Sequence, residues 1–228
     1  MATLAVPAMA ETIEPKTVLD KARSAVEDFR TGHTSSGFSA ALARADAAIV
    51  VPVLDETGST PGEDEAGRPA VVVVRDGVIG PWSDPAFYRV QSRDGKAPYP
   101  GLAMTFLIMR TDAITRLKEG SAELGGEDGL RVDPVNVGVD PDAFSDPLPH
   151  MVAFVKVNEA STLLPAFDGW KVTADPALNE QFYRRSLAPA EILSRGAAET
   201  REPESLLDAL RTAEEHEAPD ASPGDVRQ

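Results

Sequence analysis

The chain has 228 residues, 42% of them hydrophobic, enough for one domain with a real core and extensions at its ends. Lys and Arg total 22 against 37 Asp and Glu, a formal charge of -15, so the mean field repels nucleic-acid phosphates and anionic headgroups. Nucleic acid is therefore not expected as a partner, an anionic surface has to be met by a local basic patch, and the lack of cysteine removes disulfides, thiolate nucleophiles and cysteine-rich zinc sites.

Met1 to Ala10 are mostly small and apolar, and Ala8-Met9-Ala10 fits the small-x-small pattern that precedes a secretory cleavage site. The positive n-region and most of the usual hydrophobic run of about 7 to 15 residues are missing. Two readings of residues 1–13 stand side by side: the tail of a signal peptide, or a plain disordered N-terminus. Elsewhere nothing approaches the roughly 18 apolar residues of a membrane span.

Glu14-Pro15 opens a helix, because proline is tolerated in the first turn and acids favour the positive end of the dipole. Val18, Leu19, Ala22, Ala25, Val26 and Phe29 recur at helical spacing until Gly32. A shorter helix is expected from Ser36 to Arg44 and a buried strand from Ala47 to Leu54, with Pro52 at its end or edge. Asp55 to Arg68 reads as a solvated acidic loop; its acids lack the alternate spacing of a calcium-binding loop.

The four valines Val71 to Val74 predict a buried strand, Arg75-Asp76-Gly77 a hairpin turn, and Gly80 to Val90 a proline-bounded corner leading into a second strand. Ser92 to Gly101 is a turn region before an apolar strand, Leu102 to Met109. A helix follows from Thr111, placed to cap it, to Lys118, and Ser121 to Gly129 reads as loop. Leu130 to Val139 carries valines partly at strand period with a bend at Pro134, and Asp140 to Pro149 is a loop. Strands are expected at Met151 to Val157 and Gly169 to Thr173. Helices are expected from Asp175-Pro176 through Tyr183, from Ala188 to Leu193, and from Pro203 to Glu215 with Leu206, Leu207 and Leu210 on one face.

Chemistry is sparse. His33, His150 and His216 have no second histidine at metal-ligand spacing and read as surface residues, so no metal site is expected. Nucleophile-elbow and phosphate-loop motifs are absent, no cofactor is implied, and the reading is non-enzymatic. Carboxylates brought together by the fold leave a hydrolase as a third alternative. Lys16, Lys21, Arg23 and Arg30 beside the first helix's apolar stripe fit anionic-lipid binding, with the stripe for insertion and the cations for headgroups. The competing reading packs that stripe onto the protein's own domain and leaves the charges solvated. Trp82, Phe87 and Tyr88 read as core, with a ligand pocket as the alternative.

Ala41 to Pro52, followed by Gly80-Pro81-Trp82-Ser83-Asp84-Pro85-Ala86-Phe87-Tyr88, resembles the SYLF (Ysc84-type) lipid-binding domain family. Collinear matches continue through Thr105 to Leu117, Leu124 to Asp128, Asn179 to Tyr183 and Pro189 to Leu193, so the resemblance spans roughly Val18 to Leu210. Trp82, Pro85, Phe87 and Tyr88 carry its most specific motif. The chain departs from the pattern where the family has glycine-rich stretches, at Asp55 to Arg68, Arg93 to Gly101 and Asn158 to Asp168.

The resemblance implies lipid or phosphoinositide binding, in eukaryotic members partly through an N-terminal amphipathic helix, and the closer likeness is to the exported bacterial kind, so anionic phospholipid or a membrane surface is the expected partner of this divergent member. The location would be periplasmic or secreted, or cytoplasmic if the N-terminus is complete. An envelope protein-interaction module that has lost lipid binding is the alternative, motivated by the missing glycines and the charge. The expected fold is α+β: a mostly antiparallel twisted sheet or partial barrel in residues 14–212, with N- and C-terminal helices packed on it and an acidic tail at 213–228.

Overall fold

The computed structural model describes residues 13–32, 35–54, 67–77, 80–99, 101–135, 149–156, 166–194 and 204–215. Among these are six helices: α1 (Pro15–Thr31), α2 (Ser35–Arg44), α3 (Thr111–Lys118), α4 (Pro176–Tyr183), α5 (Pro189–Ile192) and α6 (Glu204–Glu215). The strands are β1 (Ala47–Val51), β2 (Arg68–Val74), β3 (Ala86–Gln91), β4 (Met104–Ile108), β5 (Ser121–Leu124), β6 (Val132–Val135), β7 (Met151–Val155) and β8 (Trp170–Ala174). They form one eight-stranded sheet in the order β5-β8-β3-β2-β1-β4-β7-β6, antiparallel except for the β6–β7 pair. The two end strands nearly meet, because a parallel bridge joins Leu124 to Leu130 just before β6, and the sheet is almost closed as a barrel. The fold is α+β, as the sequence implies.

Strand alternation explains why both faces are needed. Ala47, Ile49 and Val51 of β1, Ala70, Val72 and Val74 of β2, and Met104, Phe106 and Ile108 of β4 point into the barrel interior with Tyr88, Val90, Trp170 and Val172. The intervening Ala48, Val50, Val71, Val73, Phe87, Leu107, Val152 and Phe154 point outward and are covered by α1, α2 and α6. Each buried valine, leucine, isoleucine, phenylalanine or methionine among them contributes roughly 1.5–3 kcal/mol relative to exposure. On β5 and β8 the outward positions Ser121, Glu123, Lys171 and Thr173 are exposed, so the helical layer stops there.

α3 closes one end of the barrel with Ala113, Ile114 and Leu117 buried, and the Tyr88 hydroxyl donates to the Leu117 carbonyl at 2.6 Å. α4 is capped by Asp175, whose Oδ1 accepts from the Leu178 amide at 3.0 Å while Oδ2 pairs with Arg89 Nε at 2.6 Å. Asn179, fully buried, completes the β3 ladder where β8 ends: its Oδ1 accepts from the Phe87 amide at 2.8 Å and its Nδ2 donates to the Phe87 carbonyl at 3.0 Å.

Several boundaries differ from the sequence expectation. Ser121–Leu124 is strand β5 rather than loop: Ala122 and Leu124 are buried and Ser121 and Glu123 exposed, a four-residue alternation too short to stand out. Arg68 is not in the acidic loop but opens β2, where it shares the inward parity of Ala70 and Val72. It is buried because its guanidinium donates to the carbonyls of Leu102 at 2.7 Å, Tyr99 at 3.0 Å and Pro52 at 2.7 Å. Thr111 is the first helical residue of α3, not its cap; Arg110 holds the cap position. Pro134 lies within β6, tolerated because that strand ends the sheet order. The acidic loop at 55–66, most of Asp140 to Pro149, and residues 1–12 and 216–228 lie outside the described residues.

Asn179→Ala removes the partner of a buried strand amide and is expected to destabilise the fold by about 1–3 kcal/mol. Urea unfolding checks this, and an unchanged midpoint contradicts the assigned role.

Candidate functional site

The four cations assigned to lipid binding all lie on α1, but they do not form one basic patch. Lys16, Asp20, Arg23, Glu27 and Arg30 follow one another at spacings of four and three and share a stripe of alternating sign. Arg23 Nε lies 3.6 Å from Glu27 Oε1. Lys21 shares a neighbouring stripe with Asp28, whose Oδ2 is bonded by Lys156 Nζ at 2.5 Å. Within α1, four cations meet three anions. A net single charge near an anionic bilayer is worth about 1 kcal/mol, which is too little to hold a protein there unless apolar contact is added.

The apolar stripe of α1 faces inward. Val18, Leu19, Ala22, Ala25, Val26 and Phe29 are all buried, and Phe29 stacks on Phe38 of α2 at 5.4 Å between ring centroids. Lys16, Lys21 and Arg23 are exposed and Arg30 half-buried. Of the four, only Lys16 lines a cleft described here: about 270 Å³ in volume, where α1 meets α4 and α6, with Leu19, Asp20, Phe182 and Ser205. The cleft sets a cation and an apolar wall side by side, with Asp20 offsetting part of the charge.

The motif residues Trp82, Pro85, Phe87 and Tyr88 are buried, and the first of them organises a polar cluster. Arg75 and Trp82 face each other across a β-bridge, with the guanidinium carbon 4.5 Å from the indole centroid. Trp82 Nε1 donates to Glu214 Oε1 at 2.7 Å, and Arg75 Nη2 reaches the same oxygen at 2.5 Å. Arg75 also donates to the carbonyls of Ala43 at 2.9 Å and Leu42 at 3.0 Å, at the end of α2. Glu214 thus ties α6 to the corner and to α2 at once. Burial raises the Glu214 carboxyl above its ordinary value, against the opposing pull of Arg75, Trp82 and Arg211.

Pro85 accepts from the Tyr183 hydroxyl at 2.6 Å, and burial raises the phenols of Tyr88 and Tyr183, the latter with help from Asp84. Both hydroxyls are fixed donors in the core. The residues sequence reasoning missed are Glu214, Arg75 and Arg68. Glu214 stands four residues after Leu210 in the apolar periodicity of α6, and that position was its only signal.

A second cleft of about 210 Å³ adjoins the corner, lined by Arg75, Asp76, Ser83, Lys118, Leu193 and Ser194 among others. Among the described lining residues each cleft has one carboxylate, Asp76 or Asp20. No group of three or more potential metal ligands occurs among the described residues. His150 links the residue before β6 to the first turn of α3: Nδ1 accepts from the Arg131 amide at 2.9 Å and Nε2 lies 3.4 Å from Asp112 Oδ2. His33 and His216 lie outside the described residues. Among the described residues no helix is long and apolar enough to cross a membrane.

No protein-family model matches the chain, and no curated protein matches it.

Trp82→Ala is expected to cost about 3–5 kcal/mol, as for other buried tryptophans; a variant that unfolds no earlier than wild type contradicts the core assignment. Glu214 gives a pH prediction. Its folded pKa lies above its unfolded one, so its stabilising contribution is complete below the unfolded value and is lost as pH rises through the folded value. Relative to Glu214→Gln, which does not titrate, wild type should lose urea stability over the interval above the ordinary glutamate pKa of about 4. A gap that instead grows in favour of wild type over that interval contradicts the raised carboxyl.

Proposed function

We propose that the chain is a non-enzymatic domain of the bacterial cell envelope that binds the surface of an anionic membrane, akin to the SYLF (Ysc84-type) lipid-binding domains, and that it acts in the periplasm or outside the cell. The observation that carries the reading is α1: an amphipathic helix on the outside of the barrel, with Lys16, Lys21, Arg23 and Arg30 flanking a continuous apolar stripe that packs inward. The cleft at Lys16 adds an apolar wall of Leu19 and Phe182 beside a cation, the combination an amphiphile's headgroup and first methylenes require. Further support comes from the collinear resemblance, whose Trp82-x-x-Pro85-Ala86-Phe87-Tyr88 motif has a physical task here as the barrel corner.

The near balance of charge on α1, together with the overall -15, favours a second reading: an envelope module whose partner is a protein rather than a bilayer. Vesicle co-sedimentation separates the two. The protein should sediment with phosphatidylglycerol vesicles at low ionic strength and less with phosphatidylcholine vesicles, and added salt should weaken the anionic preference. Lys16→Glu with Lys21→Glu should reduce sedimentation. No sedimentation with anionic vesicles at low salt contradicts the membrane reading.

A further inference from the structure

In the docked state α1 presents a nearly neutral polar face and keeps its apolar stripe inside the protein. A surface that binds membrane through this helix needs that stripe, and something has to give it up. The helix packed most extensively on α1 is α6, which contacts α1 and α2 far more than it does the sheet. Among the described residues α6 is held by a short stripe, Leu206, Ala209, Leu210 and Ala213 with Leu207 partly buried beside them, and by the polar fastening of Glu214 on Trp82 and Arg75. The barrel does not depend on α6 for its ladders: β1 is paired on both sides by β2 and β4, and α1 and α2 each reach the sheet's outer apolar face on their own account.

We propose that α6 is a displaceable strap: fastened through Glu214 it covers the flank of α1's apolar stripe that the sheet does not, and its release on an anionic bilayer frees that flank for insertion between lipids. The inference rests on the membrane-surface reading and adds its regulation. The occupant of the uncovered face is the bilayer itself, because the cations of α1 border the stripe where headgroup phosphates would lie. Release also has a local logic. In the fastened state Arg75 and the Trp82 indole N–H share one carboxylate oxygen in a half-closed site; in the released state water reaches all three groups. Removing the carboxylate weakens only the fastened state.

The test uses the full chain. Glu214→Ala should bind phosphatidylglycerol vesicles more tightly than wild type, by on the order of tenfold if the variant loses one charge-assisted hydrogen bond. Glu214→Gln, which can still accept from Trp82, should fall between the two. If wild type binds and Glu214→Ala binds no tighter, the strap is overturned while the membrane reading stands; if neither binds, both fall. Hydrogen exchange on the wild-type protein decides the matter even if the variant folds poorly. On vesicles the amides of α6 should lose protection while those of β1 and β4 keep theirs, and α6 protection unchanged in the bound protein overturns the strap.

Discussion

The structure depends on one constraint: the central strands bury both of their faces. In β1, β2 and β4 successive residues go alternately into the barrel interior and under the helical layer, and no side of these strands is left for water. The four valines of β2 illustrate it, since Val72 and Val74 fill the barrel while Val71 and Val73 meet the helices. A sheet of this kind must curl to enclose its inner face and must recruit amphipathic helices for its outer one. The apolar stripe of α1 therefore has a structural duty before it can have a functional one.

That double duty shapes the proposed function. An amphipathic helix whose stripe were exposed would be committed to a membrane, and one whose stripe were locked would be inert. Here α1 lies between β1, β2 and β4 on one side and α6 on the other, and α6 is fastened at its far end by a carboxylate that burial disfavours. The Trp82 corner is in the structure the anchor point for the helix that packs on α1. Its aromatic and cationic groups serve the core and the fastening together.

Much of the fold was legible because it follows local rules. The limits of α1 are set by Pro15 and Gly32, α3 runs from Thr111 to Lys118 as its pattern suggests, and the apolar strands stand out by composition. What was not legible depends on contacts distant in sequence. Arg68 becomes an inward strand residue only because carbonyls from Pro52, Tyr99 and Leu102 converge on it. Glu214 gains its role from Trp82 and Arg75, more than 130 residues earlier. The pairing of β5 with β8 cannot be inferred from four residues without knowing where β8 runs. The four candidate cations were correctly placed on one helix, but their interleaving with Asp20, Glu27 and Asp28 deprives them of the strong basic field that a count of positive charges suggests.

The central claim is that the α1 side of the barrel is the side that meets the membrane. The chain has no cysteine, so single labels can be placed on opposite faces without background. An environment-sensitive fluorophore at Lys21→Cys on α1, compared with one at Lys171→Cys on the exposed outer face of β8, reports the orientation directly. On anionic vesicles the Lys21 label should shift to shorter wavelength and the Lys171 label should not. A response at Lys171 with none at Lys21 would contradict the account.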